Sequence, residues 1–345
     1  MAFENSDELI TKEMDQDELK LSNSLNHSCQ YYDSDDFLEL VHNHAENFSV
    51  FNLNIRSISN KIDDLEEFLG ETKNDTFFFS ILTIQELWRI NNEINLNLDG
   101  YHPLITKCRN ERQGGGVGIY LCDKFRYDII DEFSIINEDF ESLVIKVYLD
   151  GNKFKIIVNI YRIPSGKIDL FTAWVNNTLN SLKILNPDEI ILCSDLNLNL
   201  IKFKEHGPTN EFLNTMISQS FLPLITLPTR ITETCANLLD NIFTNKQQDV
   251  YLGGLFNSSL SDHLPVFYLN IDKKNNKKKD IPFKKRNMSS KNVEAFKQNL
   301  NNTDWSPILD DSQPKSGFQT FSGLINSKFD KYFPLEIAKQ NKRNI

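Results

Sequence analysis

The sequence predicts an α/β protein in which helices cover the outer faces of mixed β-sheets. Apolar runs with the composition of strands alternate along the chain with segments whose apolar residues recur at helical spacing. Two of these runs, residues 142–149 and 154–161, are separated by the turn signal Asp-Gly-Asn, which predicts a hairpin. Together these observations favour a layered α/β architecture.

The first predicted unit is a strand followed by a helix. The run "FSVFNLNI" at 48–55 predicts a strand, and the segment after it ends at the stop signal Gly70. This segment has its apolar residues at helical spacing: Ile58, Ile62, Leu65, Phe68 and Leu69. The next run, "FFFSILTI" at 77–84, is short and continuously apolar, which predicts a buried central strand.

Beyond the hairpin, the pattern predicts a helix, a strand and then shorter elements. The helix has a single apolar stripe, which consists of Phe171, Trp174, Val175, Leu179, Leu182 and Leu185. The strand "EIILC" follows at 189–193, and a short helix is predicted near 209–219. The runs "LLDNIFTN" at 238–245 and "LPVFYLN" at 264–270 come next, and two further helical pieces are predicted at 292–302 and 318–334.

Composition indicates a soluble protein of the cell interior. The chain has 345 residues, of which 40% are hydrophobic, enough to bury a sizeable core. Its start is acidic and polar, unlike a secretion signal, and the longest apolar runs are too short to span a bilayer. The five cysteines form no CxxC pair, which argues against a disulfide framework: Cys29, Cys108, Cys122, Cys193 and Cys235.

Two charge blocks divide the chain. Residues 1–50 contain 12 acidic residues and 2 lysines, a net charge of −10, whereas residues 273–286 carry a net charge of +7. Such blocks are usually solvated and poorly ordered. We therefore expect an acidic, poorly ordered segment at 1–46, a folded domain at 47–272, a basic linker at 273–288 and a helical tail at 289–345. The basic block could also contact nucleic-acid phosphates, but we favour the solvated linker.

Polar side chains occur where the predicted strands end, and they would therefore converge on one rim of a sheet. They are Asn54, Glu86, Tyr161, Asp195, Asn197, Asp240, Asn241, Asp262 and His263. Carboxylates, amides, a tyrosine and one histidine favour a hard divalent ion bound through oxygen, with Mg²⁺ as the first choice. A Mg²⁺ site with a histidine suits phosphoester hydrolysis. The glycine-rich run "GGGVGIY" leads into a strand, which does not fit a phosphate-cradling loop.

Taken singly, these residues have simpler interpretations. Asn54 and Tyr161 could be strand-end hydrogen-bonding residues, Asp240 a turn cap, Glu86 an exposed charge and His263 an ordinary turn histidine. Only their joint occurrence, in order along the chain, favours a catalytic site.

That ordered series resembles the exonuclease-endonuclease-phosphatase superfamily and, more narrowly, the endonuclease domain of non-LTR retrotransposons of the long-interspersed-element type. Seven motifs carry the resemblance: "LNIRS", "IQELW", "RQGGGVGIY", "NIYRIPSG", "CSDLNLN", "LLDNIFTN" and "SDHLPV". The segments "PTRIT" and "CQYYDSDDF" are similar to those retroelement proteins too. The resemblance implies a four-layer α/β sandwich of two facing mixed sheets flanked by helices.

The resemblance also implies a metal site. Glu86 would be the principal ligand of Mg²⁺, for which Mn²⁺ could substitute, and Asn54 and Asp262 would complete the site. Ser261 would support the turn that carries Asp262. Many DNA-repair relatives have a carboxylate two positions after the first-strand asparagine, whereas this chain has Arg56, so a single metal is the expectation.

The catalytic roles implied by the resemblance fall on five further residues. Asp195 would orient or deprotonate the attacking water, Asn197 would steady the phosphate and Tyr161 would hold a phosphate oxygen. His263, oriented by Asp240, would contact the scissile phosphate or act as the base. The motifs "SDLN" and "ELW" differ from the family's usual "GDFN" and "ETW", but neither difference removes one of these residues.

The sequence therefore predicts a Mg²⁺-dependent phosphodiester hydrolase, a DNA-nicking endonuclease of retrotransposon origin. We expect DNA as partner, no membrane, no obligate protein partner and a nuclear location if genomic DNA is the substrate. The tail resembles the connector to a reverse transcriptase, a domain that this chain lacks, so we expect a truncated copy or a fragment. Two alternatives stay open: a catalytically silent relic, and a superfamily phosphatase acting on a phosphorylated lipid head group.

Overall fold

A computed structural model of the protein describes residues 29–42, 48–74, 77–90, 93–108, 114–246, 251–270, 284–286, 289–306 and 314–337. The chain divides into two compact units at Lys273/Lys274. We call residues 1–273 the large unit and residues 274–345 the small unit, and describe each by itself.

The large unit contains fifteen strands and four α-helices among its described residues. Its first half consists of β1 (Tyr31–Tyr32), α1 (Ser34–Val41), β2 (Ser49–Asn54), α2 (Ile58–Glu71), β3 (Ile81–Gln85), β4 (Ile105–Lys107), β5 (Val117–Leu121), β6 (Arg126–Ile129), β7 (Phe140–Tyr148) and β8 (Phe154–Arg162). Its second half consists of α3 (Ile168–Ile184), β9 (Glu189–Asp195), α4 (Gly207–Ser218), β10 (Leu222–Pro223), β11 (Arg230–Ile231), β12 (Ala236–Asn237), β13 (Asp240–Thr244), β14 (Tyr251–Phe256) and β15 (Val266–Asn270).

The strands form two mixed sheets and one small ribbon. The seven-stranded sheet has the order β1-β14-β15-β2-β3-β5-β4, and the six-stranded sheet has the order β10-β13-β9-β8-β7-β6. Each sheet contains a central parallel pair, β2 with β3 and β8 with β9, among antiparallel neighbours. β11 and β12 form the ribbon. The predicted mixed sheets and the predicted hairpin, here β7 and β8, are confirmed.

The apolar pattern explains how the layers stack. Successive side chains of a strand point to opposite faces, and both faces of β2 are buried. Val50 packs in a hydrophobic cluster that includes Ile157 of the six-stranded sheet, whereas Phe51 packs with Leu65 of α2. On the six-stranded sheet, the ring of Phe140 lies 5.5 Å from that of Phe171 in α3. Helices thus flank two facing sheets, as the four-layer sandwich requires.

Buried amides link the facing sheets. The side-chain amide nitrogen of Gln85 in β3 donates two hydrogen bonds, to Asn159 Oδ1 in β8 and to Asn52 Oδ1 in β2. Both are 2.6 Å long. In return, Asn159 Nδ2 donates to the backbone carbonyls of Ile84 (3.1 Å) and Gly118 (2.8 Å). Because buried polar groups need partners, these hydrogen bonds specify one relative position of the two sheets.

The predicted boundary at residue 46 is wrong for residues 29–42. β1 pairs in parallel with β14, which makes it an edge of the seven-stranded sheet. In α1, Phe37 and Val41 are fully buried, and Asp33 caps the helix by accepting a hydrogen bond from Asp36 N (2.8 Å). Acidic residues near a helix N-terminus are favoured by the helix dipole, so the net charge of this segment did not indicate disorder. The remainder of 1–46 lies outside the described residues.

The small unit contains two helices and a two-stranded sheet. α5 (Ser290–Asn301) and α6 (Pro314–Tyr332) correspond to the two predicted helical pieces, and their aromatic rings pack together, with Phe296 and Phe329 6.0 Å apart. β16 (Lys284–Arg286) pairs antiparallel with β17 (Leu335–Ile337). For residues 284–286 the prediction of a solvated linker is therefore wrong; most of 273–288 lies outside the described residues.

Candidate active site

The two parallel strand pairs bring the predicted site residues to one end of the sandwich. Asn54 is the last residue of β2, and Glu86 directly follows the adjacent strand β3. In the other sheet, Asp195 ends β9, with Tyr161 beside it in β8 and Asp240 beside it in β13. Because the sheets face each other, polar side chains at these strand ends meet between the layers.

Asn54 connects the two sheets at this end. Its Nδ2 donates to Glu86 Oε1 at 3.0 Å and to Asp195 Oδ2 at 2.7 Å, and its Oδ1 accepts from the backbone nitrogen of Arg56 at 3.2 Å. Asn54 and Asp195 are fully buried. The amide therefore fixes the relative position of two carboxylates that come from different sheets.

Glu86 receives further donors from aromatic side chains. Trp88 Nε1 donates to Glu86 Oε2 at 2.9 Å, and the phenol of Tyr161 hydrogen-bonds to the same carboxylate. Burial raises the pKa of the Tyr161 phenol, and the negative charges of Glu86 and Asp195 raise it further. Tyr161 is therefore a neutral hydrogen-bond donor at physiological pH.

His263 and Asp240 form a buried pair next to Asp195. His263 Nδ1 donates to Asp240 Oδ2 at 2.7 Å, and polar atoms of Asp195, Asp240 and His263 all lie within 4.8 Å of one another. Burial and then the negative charge of Asp240 raise the pKa of Asp195 to about 7. Burial lowers the pKa of His263, but Asp240, Asp195 and Asp262 together raise it more, so that it is about 9. The cluster therefore retains a proton at neutral pH, carried by the imidazole.

Thr229 hydrogen-bonds to the same carboxylate oxygen of Asp240 that the imidazole contacts. Its hydroxyl donates to Asp240 Oδ2 at 2.6 Å and accepts from the backbone nitrogens of Leu239 and Asp240, both at 3.1 Å. The backbone carbonyl of Thr229 accepts from Leu264 N at 2.7 Å, which ties this segment to the turn that carries His263. Thr229 is fully buried, so its hydroxyl acts on Asp240 alone among the carboxylates of the site.

The loop after β9 is held by a buried arginine. Arg162 donates to three backbone carbonyls: Leu196 (2.6 Å), Gly166 (2.9 Å) and Asn197 (2.9 Å). Asn197 Nδ2 donates in return to Arg162 O at 2.8 Å, and Asn197 N donates to Asp195 Oδ1 at 3.0 Å. In this geometry Asn197 orients Asp195 and its amide nitrogen donates to Arg162 O; its expected contact with a phosphate stays a prediction.

Asp262 lies between two arginines. Its Oδ2 accepts from Arg56 NH1 at 3.0 Å and from Arg230 Nε and NH2 at 3.1 and 2.9 Å. Burial raises the pKa of Asp262, but His263, Arg56 and Arg230 together lower it more, so that its pKa lies below the ordinary value. Ser261 Oγ donates to Asp262 Oδ1 at 3.4 Å, a weak contact. Guanidinium groups hold the carboxylate of Asp262 in this structure, and its role as a metal ligand stays a prediction.

Backbone strain concentrates at the site. Seven non-glycine residues among those described have a positive φ, and five of them line it: Arg56 (48°), Ser57 (84°), Glu86 (53°), Trp88 (58°) and Asn197 (47°). Such conformations cost energy and persist where the surrounding structure needs a side chain in an unusual direction. The turns after β2, β3 and β9 therefore adopt strained conformations that direct their side chains into the site.

Several solved structures are similar to this fold. The structure of an endonuclease/exonuclease/phosphatase from Bacteroides vulgatus aligns with a TM-score of 0.50 at 14% identity, over 66% of this chain and 99% of that chain. The protein has the endonuclease/exonuclease/phosphatase fold. The endonuclease domain of TRAS1, a telomere-specific non-LTR retrotransposon, aligns over 66% of this chain and 100% of its own, with 12% identity and a TM-score of 0.49. An AP endonuclease from Archaeoglobus fulgidus aligns over 65% of this chain and 99% of its own, with 15% identity and a TM-score of 0.48.

A scan against protein-family models finds no match, and neither does a search of curated proteins. None of the helices in the described part of the chain is long and apolar enough to cross a membrane.

On this endonuclease/exonuclease/phosphatase fold, seven predicted residues meet in one cluster: Asn54, Glu86, Tyr161, Asp195, Asn197, Asp240 and His263. Ser261 and Asp262 adjoin it through the arginine pair. Sequence reasoning assigned no role to Trp88, Arg162, Thr229 or Arg230. All four occur inside the quoted motifs "IQELW", "NIYRIPSG" and "PTRIT", and this was the available signal.

The donor atoms of the cluster fit a divalent cation. Glu86 and Asp195 supply carboxylate oxygens joined through Asn54, and one buried oxygen, Asp240 Oδ1, has no hydrogen-bond partner within the described structure. Oxygen ligands from carboxylates favour Mg²⁺ or Mn²⁺ over zinc. A bound cation would also offset the negative charge that raises the pKa of Asp195.

Proposed function

We propose that the protein is a Mg²⁺-dependent phosphodiesterase that nicks DNA. One observation carries the proposal: Asn54 joins Glu86 and Asp195 immediately beside the buried Asp240–His263 pair. A carboxylate pair next to an imidazole provides both a place for a cation and a group that moves protons during water attack on a phosphate.

The chain's own residues have distinct tasks in this proposal. Asp195, oriented by Asn54 and Asn197, holds the attacking water and accepts its proton. As the water oxygen bonds to phosphorus, the P–O3′ bond breaks, and the leaving 3′-oxygen takes a proton from solvent to become the 3′-hydroxyl. Protonated His263, stabilised by Asp240, donates a hydrogen bond to the phosphate, where negative charge accumulates in the transition state. The neutral phenol of Tyr161, which donates its single hydrogen to Glu86 in this structure, exchanges that hydrogen bond for one to a phosphate oxygen when the substrate binds. A Mg²⁺ ion held by Glu86 and neighbouring oxygens would neutralise part of the same charge.

The retroelement origin and the nature of the cut are part of the proposal. The ordered motifs and the segment "PTRIT" support an endonuclease of the retrotransposon type, whose cut leaves a 3′-hydroxyl. That product is distinguishable from a 3′-phosphate because a DNA polymerase extends only the hydroxyl end.

A supercoiled-plasmid assay tests the activity. Wild-type protein with Mg²⁺ should convert supercoiled plasmid to the open circle, EDTA should abolish this, and polymerase should extend the nick. Glu86→Gln and His263→Ala should each lower the rate by about 10²–10⁴-fold, the range for loss of an acid, base or electrostatic group. Matched controls are Glu66→Gln and His42→Ala, which remove exposed side chains of the same types.

Two results would contradict the proposal. If wild type, Glu86→Gln and His263→Ala relax the plasmid equally, the assigned residues do not carry the reaction. If correctly folded wild type cuts no DNA with Mg²⁺ or Mn²⁺, the endonuclease proposal fails. Phosphate release from a phosphoinositide, measured in parallel, then separates a lipid-phosphate hydrolase from an inactive relic.

A further inference from the structure

Two arginines from distant parts of the chain converge on one carboxylate at the edge of the active site. Arg56 follows β2, Arg230 lies in β11, and both bind Asp262 Oδ2 within 3.1 Å. The side chains of Arg56 and Arg230 are 45% and 40% exposed, whereas the partner carboxylate is 31% exposed. The guanidinium groups are therefore open to solvent on one side.

This group has an excess of positive charge. One carboxylate offsets only one of the two guanidinium charges. Lys61 in α2 lies within electrostatic reach of this group, but the carboxylates of Asp64 and Glu86 act on it together with Asp262, so its charge is offset. The excess therefore comes from the two guanidinium groups and the single carboxylate between them, which together favour an anion at this edge of the site.

The ion pairs do not use every donor of the arginines. Arg56 engages Asp262 through NH1, and Arg230 engages it through Nε and NH2. NH2 and Nε of Arg56 and NH1 of Arg230 take no part in these ion pairs. Because a guanidinium has five N–H donors in a planar fork, it can bind a carboxylate on one edge and phosphate oxygens on another.

The backbone holds Arg56 in place. Arg56 and Ser57 both have positive φ, and Ser57 N donates to Glu86 O at 2.9 Å, which fastens the turn to the segment after β3. The guanidinium carbon of Arg56 lies 5.8 Å from the ring centroid of Trp88. A strained turn and a cation–π contact restrict this side chain before any ligand binds, so that binding costs less conformational entropy.

We propose that Arg56 and Arg230 bind a backbone phosphate of the DNA substrate next to the scissile phosphate, with Asp262 positioning the two guanidinium groups. The inference rests on the proposed function, because Asp262 is the neighbour of His263 in the chain. The bound group is a phosphodiester of the duplex, so the contact contributes affinity without reading base sequence.

A binding titration tests the arginine pair without cleavage. Full-length protein in EDTA binds a fluorescently labelled DNA duplex, and anisotropy gives the binding constant at a series of salt concentrations. Arg56→Gln and Arg230→Gln should each make the negative slope of log K against log salt shallower by about 1. The loss of affinity should be similar for unrelated duplex sequences. With Mg²⁺, KM should rise about tenfold while kcat changes little, because a contact made in both ground and transition state is lost.

Arg126→Gln is the matched control, since Arg126 is exposed in β6 and its guanidinium lies over the ring of Tyr148 in the neighbouring strand β7. It should leave both the slope and KM unchanged. Unfolding temperatures of all variants establish that they are folded.

The outcomes separate this inference from the proposed function. If wild type nicks plasmid but Arg56→Gln and Arg230→Gln keep the wild-type salt slope, the phosphate site is refuted and the nuclease is not. If wild type does not nick but the two variants lose salt-dependent binding, the arginine pair binds DNA and the nuclease proposal fails. Absence of any DNA binding by wild type overturns the inference.

Discussion

Replacing Arg162 should impair catalysis, although its side chain donates only to backbone carbonyls. The side chain is 2% exposed and donates to the carbonyls of Leu196, Gly166 and Asn197, so it supports the loop that orients Asp195. Methionine at this position retains the apolar part of the side chain and removes all donors. Lysine retains the charge but cannot present a planar fork to three carbonyls.

The magnitude follows from the three lost hydrogen bonds. A hydrogen bond from a charged group contributes about 1.5–3 kcal/mol net. Burial lowers the pKa of Arg162, because the charged guanidinium loses solvation in the interior. Arg162→Met removes this unfavourable desolvation free energy, which offsets part of the loss. We therefore expect the free energy of unfolding to fall by about 3 kcal/mol. Because displacement of a catalytic group by about 1 Å lowers rates about 10²-fold, we expect kcat to fall by that factor with KM nearly unchanged.

Lys155→Met is the control for destabilisation alone. Lys155 is also a buried cation in β8, but it pairs with Glu189 at the opposite end of the strands, six residues from the Tyr161–Asp195 pair. Chemical denaturation and steady-state nicking kinetics should show both variants destabilised and only Arg162→Met slow. If Arg162→Met loses stability but keeps wild-type kcat, Arg162 supports the fold and does not position the loop.

Three further predictions concern the rest of the large unit. Phe37→Ala should lower the free energy of unfolding by about 3–5 kcal/mol in urea titrations, because this fully buried ring contacts four other phenylalanines. Thr229→Val, which keeps the shape and removes the hydroxyl that donates to Asp240, should lower kcat about tenfold or more, and Thr229→Ser should restore it. Iodoacetamide should alkylate exposed Cys235 in the native protein and spare Cys193, because burial raises the pKa of that thiol to about 12 and its thiolate is scarce below that pH.

Each of these predictions has a control. Leu170→Ala removes a half-exposed apolar side chain and should cost much less stability than Phe37→Ala; equal, small effects would mean that α1 is not part of the core. Wild-type kcat in Thr229→Val would exclude a positioning role for the hydroxyl. Peptide mass spectrometry after denaturation should show Cys193 alkylated, and rapid labelling of native Cys193 would contradict its burial.

Local pattern predicted the central strands, several helices and the strand-end residues, because these features depend on short stretches of sequence; it did not predict β14 at Tyr251–Phe256. The helix at 58–71 and the hairpin joined at 150–152 follow from apolar spacing and turn chemistry. The order of the segment at 29–42 was not predicted, because its composition is acidic and its fold depends on one buried ring, Phe37. The ring's partners lie up to 230 positions away in the chain, at Phe267.

The candidate site was predictable as a set of residues and only partly as a geometry. Order along the chain identified Asn54, Glu86 and Asp195, but the ion pairs of Asp262 depend on tertiary contacts across 206 and 32 residues. The periodicity of apolar residues in the sequence cannot predict contacts between side chains so far apart in the chain. The family resemblance implies that Asp262 binds a metal, and the fold also places its carboxylate between two arginines, a contact that depends on side-chain direction.

The amides that cross the sandwich make catalytic geometry a property of the whole core. Asn54 takes one carboxylate from each sheet, and the Gln85–Asn159 link deeper in the interior sets how far apart the sheets lie. A volume change among the apolar residues between the layers would thus alter the distance between Glu86 and Asp195 without touching either. We therefore expect solvent-facing positions of the outer helices to tolerate substitution, whereas apolar positions between the sheets should change only by paired substitutions that conserve volume.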